Sequence, residues 1–241
     1  MSKNVLYKTI PLLALLLLVC LAVGCILAGS TTGLPFTAQT QSQYIELPKP
    51  GLSGAMSVEE ALFERRSIRE YAKVALSIEE VSQLLWAAQG TTAEWGGRTA
   101  PSAGGLYPLE VYLEVGNVES LGSGVYKYKP EGHELLKITD VDIRTRLFEA
   151  ALSQQWVKDS AANIIITAIY ERTTVKYGER GIMYVHMEAG HAAQNICLQA
   201  TSLDLGAVTV GAFDNDQIKG ILGLSPGETP LYIIPVGKKK S

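Results

Sequence analysis

Cysteine, histidine and surplus charge are all scarce in this chain of 241 residues. Three cysteines cannot build a disulfide framework. Three histidines (His133, His186 and His191) stand without cysteine or carboxylate partners at zinc-site spacing, so no metal site is expected. Charge nearly balances, with 21 Lys and Arg against 24 Asp and Glu. The net charge of −3 leaves no cationic excess to neutralise phosphates, which argues against nucleic acid as a partner. No Gly-rich dinucleotide fingerprint is present, and no Ser-His-Asp or Cys-His pattern suggests a nucleophile. No internal repeat is visible. What the chain does have is 47% hydrophobic residues, enough to build a packed core.

The hydrophobic residues are unevenly spread. Lys3 and Lys8 precede an uncharged run from Ile10 to Ala28. At a rise of 1.5 Å per residue the run is about 28 Å long, close to the thickness of a bilayer core. Within it, Leu21-Ala22-Val23-Gly24-Cys25 resembles a lipoprotein signal, although Ala22 stands where Leu is usual. Residues 1–28 are therefore expected to be a signal peptide or membrane anchor, with Cys25 as the lipidation candidate. The two lysines favour an N-terminus inside and a domain outside, so a membrane-anchored, extracytoplasmic location is expected. Residues 29–56, poor in charge and rich in Ser, Thr, Gln, Pro and Gly, are expected to be a flexible tether, in which residues 44–48 can lean on the domain in extended form. Residues 57–241 then form one domain.

Within that domain, Ser57 with Glu60 and Ser77 with Glu80 form two capping boxes, each opening a helix. The second helix carries Ile78, Val81, Leu84, Leu85 and Ala88 on one face and stops at Gly90. Strands are expected at 109–115, 124–128, 133–138, 163–170, 205–210 and 231–236. Helices are expected at 143–152, 184–203 and 214–222. The β-branched run at 163–170 reads as a buried strand. Strands and helices interleave but the early strands look like hairpins, which predicts an α+β fold: a mixed or antiparallel sheet flanked by helices.

Four strings carry candidate chemistry. Arg65-Arg66-Ser67-Ile68-Arg69 places three guanidiniums in five residues, suited to an oxyanion such as phosphate; read alone, it is also a solvated helix end. Pro101-Ser102-Ala103-Gly104-Gly105-Leu106-Tyr107-Pro108 sets small residues between prolines, so backbone amides can approach a flat ligand; read alone, it is a loop before a strand. Glu188 to Asn195 has a small-residue face that suits tight packing, with His191 expected to be hydrogen-bonded in the core. Gly211-Ala212-Phe213-Asp214 is a strand-to-helix junction in which Asp214 can cap the helix. Cys197 lies mid-helix among apolar neighbours and reads as a core residue.

In order and spacing, these strings resemble the nitroreductase-like flavoprotein family, and within it the SagB/ThcOx-type dehydrogenases. The resemblance covers Ser57 to Lys238. It implies an α+β homodimer with FMN at the subunit interface. It further implies that Arg65, Ser67 and Arg69 hold the phosphate and ribityl chain, joined by Lys238, with Lys240 a further candidate. Ser102, Ala103 and Gly105 would meet the isoalloxazine from the partner subunit, with Gly211 and Ala212 near its N5 side. Lys176-Tyr177 falls where azoline-oxidising relatives carry a Lys-Tyr pair implicated in proton removal. A tyrosine, with an ordinary pKa of about 10, needs a neighbouring cation to serve as base; Lys176, Arg172 and Arg180 are the candidates, and a plain surface dipeptide is the other reading. Tyr184 is a second candidate for the pocket wall. The implied function is two-electron hydride transfer on a small organic or peptide-derived substrate, with NAD(P)H as a transient donor. A non-catalytic flavin-binding lipoprotein module on the same fold is the alternative.

Overall fold

The computed structural model describes residues 44–240. In chain order the elements are β1 (Tyr44–Glu46), α1 (Val58–Glu64), α2 (Ile78–Gln89), β2 (Leu109–Val115), β3 (Gly124–Lys129), β4 (Glu134–Thr139), α3 (Arg144–Ala150), α4 (Gln155–Asp159), β5 (Ala162–Ile169), α5 (Glu171–Tyr177), α6 (Arg180–Ser202), β6 (Leu205–Ala207), α7 (Asn215–Leu222) and β7 (Glu228–Lys238). A single 3₁₀ turn at Ala103–Gly105 precedes β2. The strands form one sheet in the order β1-β4-β3-β2-β5-β7-β6. Every neighbouring pair is antiparallel. Of the two sheets that the sequence allowed, the chain adopts the antiparallel one.

β5 shows why the fold is layered. All but the last of its eight residues are buried. Side chains alternate between the faces of a strand. Ile164 and Ile166 therefore enter one core with Leu84, Leu85, Ala192 and Ile196, while Ile165 enters the other with Leu147, Ile218 and Ile233. Helices α2 and α6 supply the first core, α3 and α7 the second. Each fully buried Leu or Ile contributes about 1.5–3 kcal/mol. Both capping boxes form: Ser57 and Ser77 each accept from the amide three residues on, and Glu60 and Glu80 answer the cap amides. The small face of α6 is buried at Ala189, Ala192, Ala193 and Ala200 and packs on α2.

Several expectations are corrected. Among the described residues no helix is long and apolar enough to cross a membrane, and the longest helix, α6, has its apolar face spent on the core. The membrane-anchored, extracytoplasmic location is therefore withdrawn; the apolar run at 10–28, with Cys25, lies outside the described residues. Residues 44–46, read as an extended segment leaning on the domain, do so as an edge strand paired with β4, and Leu47 behind them is buried. His191 is exposed rather than in the core, because the buried face of α6 is made by Glu188, Ala189, Ala192 and Ala193 instead. Lys176-Tyr177, for which the sequence offered no element, ends helix α5.

Candidate functional site

The arginine string leaves α1 as an extended segment and docks on the sheet. The Ile68 amide donates to the Ala207 carbonyl at 3.0 Å, and the Ala72 amide to that of Lys238 at 2.9 Å. The Tyr71 hydroxyl donates to the carbonyl of Ile68 (3.0 Å) or Pro235 (3.2 Å). Two glycines permit this approach. A Cβ on Gly206 would lie 2.7 Å from Ile68 Cγ2, and one on Gly237 2.9 Å from Tyr71 Cγ. The segment thus presents Arg65, Ser67 and Arg69 at its outer side. Neither Arg65 nor Arg69 has a carboxylate partner among the described residues, although Arg69 lies 5.3 Å from the Trp156 ring centroid. Arg66 turns back instead, donating to the carbonyls of Phe63 and Arg65.

Helix α4 links this segment to the Gly211–Ala212 junction. Gln154, its N-terminal cap residue, donates to the Ala212 carbonyl at 2.8 Å, while Trp156 in the same helix meets Arg69. Asp214 caps α7 as expected by accepting from the Gln217 amide. Lys238 departs from expectation. Its ammonium is paired with Glu80, whose second carboxylate oxygen already closes the capping box of α2. Lys240 pairs with Glu70. Neither lysine is a spare cation for a phosphate. Cys197 is buried with its thiol pushed up by desolvation, against the pull of Arg65, as suits a core thiol.

The second set forms around the small-residue loop. Gly104 and Gly105 both have φ 65° and Tyr107 has φ 45°. Ser102 Oγ ties the loop by accepting from the Tyr107 amide at 2.9 Å. A Cβ on Gly104 would lie 2.7 Å from Tyr177 Oη and 2.9 Å from Lys176 Nζ. The glycine loop and the Lys-Tyr pair, 72 residues apart in sequence, are therefore in contact (176 − 104). Lys176 Nζ lies 5.3 Å from the centroid of the Tyr177 ring, and Tyr184 meets that ring edge-on at 5.2 Å. Arg180 stacks on Tyr184, and Arg172 is engaged elsewhere, by the Tyr107 carbonyl and Glu110. Lys176 is left as the cation beside Tyr177.

Behind this loop sits a residue whose role the sequence did not suggest. Glu188 is 2% exposed, and its Oε1 has no hydrogen-bond partner. Burial pushes its carboxyl up to about 7, while the Ser102 hydroxyl and Arg98 pull the other way. Within one chain, no hydrogen bond or ion pair among the described residues joins the arginine set to the glycine-loop set. Helix α6 spans both. Cys197 near Arg65 and Glu188 near Ser102 are nine residues apart, about 14 Å along the axis. No group of three or more metal-ligating side chains occurs among the described residues.

Likeness to known proteins follows the same span. The nitroreductase family profile matches residues 62–238, which takes in both sets. A nitroreductase-like protein of Methanocaldococcus jannaschii is 48% identical over 184 residues, covering 76% of this chain and 92% of that protein. The microcin B17-processing protein McbC of Escherichia coli is 32% identical over 114 residues, covering 45% of this chain and 42% of that protein. Among solved structures, a nitroreductase-like protein of Ralstonia eutropha superposes with a TM-score of 0.74 at 29% identity, covering 83% of this chain and 92% of that one. The chain belongs to the nitroreductase family, a family of oxidoreductases.

Proposed function

We propose that the chain is an FMN-dependent dehydrogenase of the SagB type that works as a homodimer on a small organic or peptide-derived substrate. The observation that carries this reading is the contact of Gly104 with the side-chain ends of Lys176 and Tyr177. The residues present fit FMN. Arg65 and Arg69 have no carboxylate to neutralise them and flank the exposed hydroxyl of Ser67, a donor set suited to a phosphate dianion. Gly105 leaves open space where a side chain would stand, so the loop amides can meet a flat ring. Lys238, spent on Glu80, is left out of the phosphate set.

Two copies reconcile the separated halves: one protomer offers the arginines with Gly211 and Ala212, its partner the loop Ser102, Ala103 and Gly105. The exposed Ile182, Met183 and Met187 on α6, with Leu62 and Phe63 on α1, are the apolar surface that a second copy would cover. Bound FMN supplies two-electron hydride chemistry at its N5 atom. The chain's own residues orient substrate and move the proton: Tyr177 Oη takes it, with Lys176 Nζ beside the ring to orient the reacting groups. NAD(P)H is the donor when the enzyme runs in the reducing direction.

The test is to purify the chain, measure its flavin absorbance, and assay oxidation of a thiazoline-containing peptide beside NADH-driven reduction of a nitroaromatic. Tyr177→Phe is expected to keep FMN and nitroaromatic reduction but to lose about 10²–10⁴-fold in thiazoline oxidation. Equal loss in both reactions would overturn the role of Tyr177. A protein that binds FMN yet turns over neither substrate would leave the non-catalytic reading.

A further inference from the structure

A cavity of about 420 Å³ opens behind the glycine loop, walled by β2, the β3–β4 hairpin and the end of α2. This is within the size range of small-molecule sites. Three cations (Arg98, Lys129 and Arg172) face two carboxylates (Glu110 and Glu131). Burial acts to raise Glu110, but Lys127 and Arg172 outweigh it and hold its carboxyl below the usual range, so it stays ionised. Arg98 pairs with Glu131 at 2.9 Å and Arg172 with Glu110. Lys129 has no ion-pair partner among the described residues, and Lys127 shares Glu110 with Arg172 at 3.1 Å, so cations outnumber carboxylates around the cavity.

The floor supplies a second, independent sign. Gln89 is fully buried and lines the cavity. Arg98 Nη1 donates to its Oε1 at 3.2 Å. A guanidinium can only donate, so this bond fixes which way the amide points. Gln89 Nε2 is thereby held as a donor, and it has no acceptor. A buried donor without a partner is costly, and natural sites rarely keep one without a use. Leu106, Leu109 and Val111 supply apolar wall beside it.

We propose that this cavity binds a small monocarboxylate with a flat or short apolar body, its carboxylate received by Gln89 Nε2 and Lys129 Nζ. The site is separate from the proposed flavin contacts, since neither Arg65 nor Ser102 lines it. It adjoins them through Leu106, which follows Gly105, through Arg98, which acts on Glu188 beside Ser102, and through Tyr107, whose ring carries Arg98 at 4.5 Å and whose carbonyl accepts from Arg172.

The experiment is calorimetric titration of the full chain with benzoate, using benzamide as a neutral analogue of the same shape. Benzoate is expected to bind in the millimolar range or tighter, with benzamide about tenfold weaker. Gln89→Leu and Lys129→Met are each expected to weaken benzoate about tenfold, while Arg65→Ala leaves it unchanged. Lys129 is only half-buried, so Lys129→Met keeps the test decisive even if Gln89→Leu fails to fold. No benzoate binding, benzamide binding equally well, or indifference to Lys129→Met would each overturn the proposal. Loss of benzoate binding in Arg65→Ala would do the same, by moving the carboxylate to the proposed phosphate site. Because the titration needs no flavin, its outcome is independent of whether FMN binds.

Discussion

At Gly104 and Gly105 one backbone conformation meets two different surroundings. Both residues have φ 65°, where an L side chain costs roughly 1–2 kcal/mol. A Cβ on Gly104 would strike the ends of Tyr177 and Lys176, whereas a Cβ on Gly105 meets no protein atom within 4 Å. Gly104→Ala and Gly105→Ala are therefore expected to destabilise the fold by similar amounts, about 1–2 kcal/mol in urea denaturation. Their functional effects should part. Gly104→Ala displaces the Lys-Tyr pair and lowers turnover with FMN still bound. Gly105→Ala puts a methyl where the proposed isoalloxazine lies and lowers FMN affinity, measured by fluorescence titration. If both variants keep wild-type FMN affinity, the loop does not face the flavin.

Among the elements, the arginine segment shows what a glycine in a strand can do for a site. Gly237 lets the Tyr71 ring lie on β7, and the ring in turn fixes the chain that bears Arg65 and Arg69. Gly237→Ala overpacks this contact at a cost of about 1–3 kcal/mol. Because the contact holds the phosphate set, FMN affinity should fall as well. Ile165→Ala in the opposite core should cost about 2–5 kcal/mol and leave FMN affinity of the folded protein untouched. Urea denaturation and flavin titration on both variants separate site from stability; equal FMN loss in the two would remove the docking argument. The same elements mark how far the sequence could be read. Capping boxes announced α1 and α2, and the β-branched run announced β5, because local chemistry decides those boundaries. Helix α5 was not legible: Thr173, Thr174 and Val175 are weak helix formers, and packing against α6 beside Gly181 imposes the conformation. Helix α4 has only five residues and no period, yet it joins Arg69 to Ala212. The candidate strings were visible, but not their pairings. That Lys238 answers Glu80, 158 residues away, is a fact of the sheet and not of any local pattern.

For the molecule as a whole, two buried carboxyls set how stability depends on pH. Desolvation pushes Glu114 up to about 8, partly opposed by the hydrogen bond from Asn163, and pushes Glu188 up to about 7. Their ordinary value is 4.5, so between that pH and about 8 the native state holds protons that the unfolded chain has released. Stability must then fall as pH rises through this window, by at most about 1.4 kcal/mol per pH unit for each group. Glu110 and Asp142 act in the opposite sense. Their cationic neighbours outweigh burial at Glu110, and hydrogen bonds from Arg144 lead at Asp142, so both are held below the usual range and lose their contribution as the solution becomes acidic. The two trends meet at about pH 5, where calorimetric Tm should be highest. Glu114→Gln keeps an acceptor for the Asn163 amide and gives Asp142 a donor, so it should fold with the alkaline decline reduced. Adding Glu188→Gln should flatten the curve from about pH 6.5 to 8, while the acid limb, to which Glu110, Asp142 and the imidazole of His133, held below its usual range by burial, all contribute, persists. A wild-type Tm that does not change across that range, or a double variant that declines as steeply as the parent, would mean that these carboxyls are ionised in the folded protein.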